Sequence, residues 1–287
     1  MYASTPQAGR ERRRTEPPKM IAVDVDGTLV GYQEADVQRP SRETIAALKR
    51  VRDAGVPVAI VTGRPMWAAV SVAEDLEVDG GYISGSHGAV EYSIADRAIS
   101  RREFIDARRA VEAFRGVEPA VEFAFERDLD GWYHTPGFAR DFAADWAGAM
   151  DLDDLLAEPV ARIVARVPSE NGYHDGVRCP NALRLVREAG LSPDHYYVEP
   201  GYKGWVDVSP PGLTKATGLA GIAERYGVDA AEVAVFGDAH NDLPMFEWAG
   251  HAVAMGQADD TVKAAADEVT LPVSADGVAA VLNRWFH

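Results

Sequence analysis

The sequence predicts an α/β protein built on a parallel sheet, with a second α/β region inserted into it. Three observations lead there. Short apolar, β-rich runs alternate along the 287 residues with segments of helical periodicity, the pattern of a sheet covered by helices on both faces. Three of those runs end in acidic, hydroxyl or glycine residues, and open α/β sheets bind ligands at the carboxyl ends of their strands. Between the second and third of these strands lies an insert of about a hundred residues with strand-like and helical stretches of its own, which fits a chain of about two domains.

The first strand is Ile21-Ala22-Val23-Asp24-Val25-Asp26-Gly27-Thr28-Leu29-Val30. Residues i and i+2 of an extended chain project to one side, so Asp24 and Asp26 are expected to stand together where Gly27 lets the backbone turn. Two such carboxylates invite a hard cation, and Mg²⁺ is usually held by one or two carboxylates with waters and substrate phosphate. Asp and Gly are also ordinary turn formers, so this segment alone supports either reading. An EF-hand loop is excluded, because Ala35 stands where its bidentate Glu would be.

Residues 41–54 read as a helix, with Ser41 as its cap, Ile45, Leu48, Val51 and Arg52 at helical spacing, and Gly55 at its end. Val58-Ala59-Ile60-Val61-Thr62-Gly63-Arg64-Pro65 is the second strand. Pro65 suits the first turn of a helix running to about Leu76. The Thr62 hydroxyl, the Gly63 amide and the helix N-terminus offer donors to a phosphate, although Thr-Gly-Arg-Pro is also an ordinary strand-to-helix turn. Residues 90–93 and 98–102 are expected to pair as a hairpin leading into the insert. Within the insert, residues 120–126 and 162–167 are strand-like and residues 181–189 helical.

Beyond the insert, Thr214 looks like the N-cap of a helix ending before Gly227, with Lys215 in its first turn. A cation is unfavourable there, so Lys215 either swings into solvent or faces an anion. With five lysines against twenty-four arginines, its placement carries some weight. The last strand is Glu232-Val233-Ala234-Val235-Phe236-Gly237-Asp238-Ala239-His240-Asn241-Asp242. Asp238 can complete a metal site. Asp242 can serve the start of the next helix as a capping charge. Asn241 can hold a phosphate oxygen or brace the loop, and His240 reads as a loop histidine.

Taken in order, Asp24 with Asp26, Thr62, Lys215, and Asp238 to Asp242 closely resemble the four motifs of the haloacid dehalogenase (HAD) superfamily. The likeness is closest to its Cof-like branch of sugar-phosphate phosphatases and extends through Leu243 to Ala258, covering most of residues 19–102 and 205–286. One departure is visible: His87-Gly88-Ala89 stands where the branch usually has Asn-Gly-Ala. The resemblance implies a Rossmann-like parallel-sheet core at residues 19–100 and 209–287 and an α/β cap at residues 101–208 that sets substrate choice; residues 1–18, polar and basic with Arg10, Arg12, Arg13 and Arg14 ahead of Pro17 and Pro18, read as a disordered tail. It implies Mg²⁺ as cofactor, held by the Asp24 carboxylate, the Asp26 backbone carbonyl and Asp238. Asp24 would be the nucleophile and Asp26 the general acid and base. Thr62, Gly63, Lys215 and Asn241 would bind phosphate oxygens, with Asp242 orienting the metal shell or Lys215. A phosphomutase could use the same core, and a phosphometabolite-sensing regulator could keep the fold without the nucleophile.

The expected partner is a small phosphorylated metabolite. A formal charge of −16 argues against nucleic acid, whose binding rests on neutralising phosphates with Lys and Arg. No apolar run approaches the ~20 residues that span a bilayer, so no membrane partner is expected. The single cysteine, Cys179, allows no internal disulfide, which fits a cytoplasmic enzyme. Trp132, Tyr133, His134, Tyr173, His174, Tyr202 and Trp205 are the insert's aromatic and polar candidates for contact with a sugar ring, each also suited to packing.

Overall fold

A computed structural model of the chain describes residues 14–32, 39–140, 146–167, 180–200 and 204–287. These form two compact units. The first comprises the chain up to Arg64, Ala68–Ser100 and Thr214–His287; the second comprises Pro65–Trp67 and Arg101–Leu213. Cys179, Tyr173, His174 and Tyr202 lie outside the described residues.

The first unit is organised by a sheet of strands β1 (Met20–Val23), β2 (Val58–Val61), β3 (Tyr82–Gly85), β4 (Val90–Ser93), β5 (Ala98–Arg102), and, from later in the chain, β12 (Val233–Gly237), β13 (His251–Ala254) and β14 (Glu268–Val269). Their order across the sheet is β14-β13-β12-β1-β2-β3-β4-β5. From β14 to β3 every pairing is parallel, and β4 turns back antiparallel on β3. Strands β1, β2 and β12 are wholly buried, as parallel strands covered on both faces must be. One face, with Met20, Ala22, Ala59, Val61, Val233 and Val235, packs on helix α6 (Lys215–Tyr226) through Leu219 and Ile222 and on α7 (Leu243–Trp248) through Met245 and Phe246. Helices α1 (Arg42–Asp53), α2 (Met66–Asp75), α8 (Asp260–Ala265) and α9 (Gly277–Trp285) complete the unit's principal α-helices.

Local signals explain where the helices begin and end. The Ser41 hydroxyl accepts from the Thr44 amide at the start of α1, whose buried face is Thr44, Ala47, Leu48 and Val51. Helix α6 opens on a capping box between Thr214 and Thr217 and closes at Gly227 with φ 63°. Near the start of the described residues Pro18 is buried, and the Arg14 carbonyl accepts from the Trp285 indole at 2.9 Å.

The second unit has a six-stranded sheet, ordered β10-β11-β9-β6-β7-β8. Its strands are β6 (Glu122–Arg127), β7 (Gly131–His134), β8 (Trp146–Ala149), β9 (Ile163–Arg166), β10 (Tyr197–Pro200) and β11 (Val206–Ser209). Alternation divides its faces. Phe123, Phe125, Ile163, Ala165, Val206 and Val208 form one core with helices α3 (Ala107–Val117) and α5 (Pro180–Glu188); the short α4 (Leu152–Leu155) adds Leu155. Tyr133 packs against that core. The alternate positions Glu126, Trp132, His134, Arg162 and Asp207 carry rings and charges instead: Trp132 lies edge-on to Trp205 at 6.2 Å and under the Arg162 guanidinium at 5.1 Å.

Candidate active site

The carboxyl ends of β1 and β12 and the first residue of α6 meet in one buried cluster. Strand β1 stops at Val23, and the next amide, that of Asp24, still donates to the Phe236 carbonyl of β12 at 3.0 Å. This holds Asp24 at the sheet edge, only 3 % exposed. Lys215 is equally buried, and its Nζ lies 2.6 Å from Asp24 Oδ1 and 2.6 Å from Asp242 Oδ1. Of the two fates open to an early-helix lysine, the structure shows the anion-facing one.

Asp242 does two things at once. Its Oδ2 accepts from the amides of Asp238 at 2.9 Å and Ala239 at 3.0 Å, while Oδ1 takes Lys215. The capping role and the ion pair are therefore both present. Burial works against the Lys215 ammonium, but Asp24 and Asp242 outweigh it and hold its pKa above the ordinary value. Burial pushes Asp24 well up, with Lys215 pulling the other way, and pushes Asp238 to about 6.

The strand expected to carry Asp24 and Asp26 ends before both. Because β1 ends before Asp24, the following residues form a turn in which the Val25 carbonyl accepts from the amides of Thr28, Leu29 and Val30. The Asp26 carboxylate takes Arg64 Nε at 2.8 Å and Nη2 at 2.6 Å in a bidentate pair, with a third of the side chain exposed. Burial opposes the Arg64 charge, yet Asp26 and Asp24 raise its pKa on balance. Arg64 is thus a neighbour of the site. No spacing rule connects positions 26 and 64, so only the fold reveals the pair.

Thr62 is buried at the end of β2, its amide bound to the Ser84 carbonyl and its Oγ1 accepting from the Arg64 amide at 3.1 Å. Gly63 must be small, because a Cβ there would meet the His87 ring at 2.5 Å. His87 itself stands in a run of left-handed residues, Ser86, His87 and Gly88 at φ 51°, 56° and 98°. The position where the motif departs from its usual Asn is thus the one pressed against the expected phosphate seat. Asn241 is exposed, and His240 pairs with Asp259 at 2.7 Å, as a loop histidine would.

The donor set fits a divalent cation. Asp24, Asp238 and Asp242 each offer an oxygen within 4.8 Å of the others, and the one ammonium among them leaves an excess of negative charge in a buried place. Asp238 Oδ1 is buried without a hydrogen-bond partner among the described residues, a cost that a bound cation removes. Gly27, at φ 79°, allows the β1 loop to lie directly on the Asp238 carboxylate, where any Cβ would collide. Tyr32 and Gln257, which also touch Asp238, carry no sequence signal that marks them as site residues.

Comparison with known proteins agrees with this geometry. The sequence matches the family of haloacid dehalogenase-like hydrolases over residues 21–174 and 182–282. The chain belongs to that family. It is 27 % identical to a 5-amino-6-(5-phospho-D-ribitylamino)uracil phosphatase of Bacillus subtilis, over 94 % of this chain and 98 % of the relative. It is 29 % identical to a phosphoglycolate phosphatase of Archaeoglobus fulgidus, over 93 % and 96 %. Among solved structures, a HAD subclass IIB sugar phosphatase superposes with a TM-score of 0.71 at 25 % identity, covering 92 % of this chain and 97 % of its own. A haloacid dehalogenase-like hydrolase from Bacteroides thetaiotaomicron shares the fold at a TM-score of 0.76, with 24 % identity over 93 % and 99 %. Among the described residues, no helix is long and apolar enough to cross a membrane.

Proposed function

We propose that this phosphatase of the HAD superfamily is Mg²⁺-dependent and hydrolyses a small phosphate monoester, a sugar phosphate or related phosphometabolite, through an aspartyl-phosphate on Asp24. The observation that carries the reading is the buried Asp24–Lys215–Asp242–Asp238 cluster, with three carboxylates around one ammonium. Bound there by Asp24, Asp238 and the Asp26 carbonyl, Mg²⁺ would offset repulsion between carboxylate and phosphate. Asp24 Oδ attacks phosphorus and the P–O bond to the leaving group breaks. Lys215, the Thr62 hydroxyl, the Gly63 amide and Asn241 bind the remaining phosphate oxygens and stabilise the developing charge. Asp26 gives its proton to the leaving oxygen and later takes one from the water that cleaves the acyl phosphate; for this it exchanges its Arg64 contact for the reacting oxygen. Asp242 keeps Lys215 in place.

Nothing in this set recognises an organic group, so we assign substrate choice to the cap at residues 101–208 and the chemistry to residues 19–100 and 209–287. The relatives' range, from a ribitylaminouracil phosphate to phosphoglycolate, fits a shared core with variable selectivity.

Phosphate release from an aryl phosphate, measured with Mg²⁺ and with excess chelator, tests the reading. Activity should vanish in chelator and return with Mg²⁺, and Asp24→Asn should have no turnover while keeping the parent's circular dichroism. Equal rates in chelator and Mg²⁺, or turnover by Asp24→Asn, would sink it. Asp26→Asn should slow a sugar phosphate by about 10²- to 10⁴-fold, the usual contribution of a positioned acid and base. The loss should be smaller for an aryl phosphate, whose leaving group needs no proton; equal losses would remove Asp26 from the acid role.

A further inference from the structure

The two oxygens of the Asp238 carboxylate keep different company. Oδ2 accepts from the Tyr32 hydroxyl at 2.9 Å and lies 3.3 Å from Gln257 Nε2. Oδ1 is buried and has no hydrogen-bond partner among the described residues. The orientation of the Gln257 amide follows from its other end: Oε1 accepts from the Val273 amide at 3.1 Å, a group that can only donate. Nε2 is therefore the end that faces Asp238, and it donates to the Gly27 carbonyl as well.

We propose that Tyr32 and Gln257 are positioning residues that occupy Oδ2 of Asp238 and so present Oδ1 as its single metal-binding oxygen. The inference rests on the metal-dependent reading above. A carboxylate able to rotate could offer either oxygen or both, whereas Mg²⁺ demands near-octahedral geometry from well-aimed single oxygens. Two donors on one oxygen remove that freedom before the ion arrives. Gln257 does more, since its bond to Gly27 ties the loop carrying Asp24 and Asp26 to the same carboxylate. Tyr32 is half exposed, so its hydroxyl can be removed with little disturbance to packing.

Mn²⁺ binding to the chelator-treated full chain, read by electron paramagnetic resonance, tests the inference in the parent, Tyr32→Phe, Gln257→Met and Asp238→Asn. Groups that orient metal ligands typically contribute about 10- to 100-fold in affinity. We expect the Kd for Mn²⁺ to rise about 10-fold in Tyr32→Phe and at least as much in Gln257→Met. At saturating Mn²⁺, KM for an aryl phosphate should stay within about twofold of the parent, a split that a general loss of structure would not give. If Tyr32→Phe and Gln257→Met bind Mn²⁺ as the parent does while Asp238→Asn binds weakly, the positioning role is overturned and the metal site stands. If the parent fails to bind, or Asp238→Asn binds as tightly as the parent, the metal reading falls and the inference with it.

Discussion

Each unit buries a cation between two carboxylates, and the two arrangements differ in what is left over. In the first, Lys215 sits 2.6 Å from both Asp24 and Asp242, and a third carboxylate, Asp238, stands beside them with one oxygen unpartnered among the described residues. In the second, Arg162 lies 2.9 Å from Glu126 and 3.8 Å from Asp207, and its flat face covers the Trp132 ring. The lysine is a compact point charge that leaves room around it, while the guanidinium spreads over a ring and two acids. Burying charge is costly in either place unless it is matched. The arginine set meets its charge with two carboxylates of the chain, although Asp207 Oδ1 is also without a hydrogen-bond partner among the described residues; the lysine set carries a third carboxylate and so suits an added cation.

That contrast predicts different responses to the loss of the cation, the larger at Lys215. Lys215→Met leaves three buried carboxylates without an ammonium and should abolish turnover. Breaking a buried pair costs about 3–5 kcal/mol, so the metal-free variant should also unfold at lower urea, and added Mg²⁺ should restore part of the loss. Arg162→Met should cost a similar amount, read as faster hydrogen exchange in β9 and β11, with no recovery on adding Mg²⁺. Recovery of Arg162→Met by Mg²⁺, or its absence in Lys215→Met, would erase the distinction between the two sites.

Much of the first set was legible in the sequence because local rules govern it. Thr214 and Gly227 bracket α6 and put Lys215 at its first residue, while the apolar runs ending at Val23 and Gly237 deliver Asp24 and Asp238 to one sheet edge. Contacts between distant segments were not legible. The Asp26–Arg64 pair, Tyr32 on Asp238 and the Gln257 bridge join positions that no periodicity links. In the second unit, the strand-like stretches at 120–126 and 162–167 became β6 and β9, but the other four strands gave no such signal. β8 is Trp-Ala-Gly-Ala, poor in β-formers, and β10 ends in proline. Arg162 and Asp207 therefore could not be placed side by side from sequence.

The smallest expected effect sharpens the second half of the comparison. Burial pushes the Asp207 carboxyl up to about 6, with Arg162 pulling it down and Glu199 and Glu126 adding to the rise. An unfolded chain gives an aspartate about 3.9. Between these values the folded protein keeps a proton that the unfolded chain has released, so the stability this group contributes is greatest below about pH 4, declines as pH rises towards 6, and is flat above. The full span is at most about 3 kcal/mol, since each tenfold difference in proton affinity between the folded and unfolded chain is worth about 1.4 kcal/mol. Asp207→Asn cannot lose that proton, and its stability relative to the parent should therefore improve from pH 4 to pH 6. Hydrogen exchange of the β9 and β11 amides at pH 4, 5, 6 and 7, corrected for intrinsic rates, measures the difference directly, because titrations common to both proteins cancel. A difference that stays constant across this range would mean that Asp207 is ionised throughout, with Arg162 outweighing its burial.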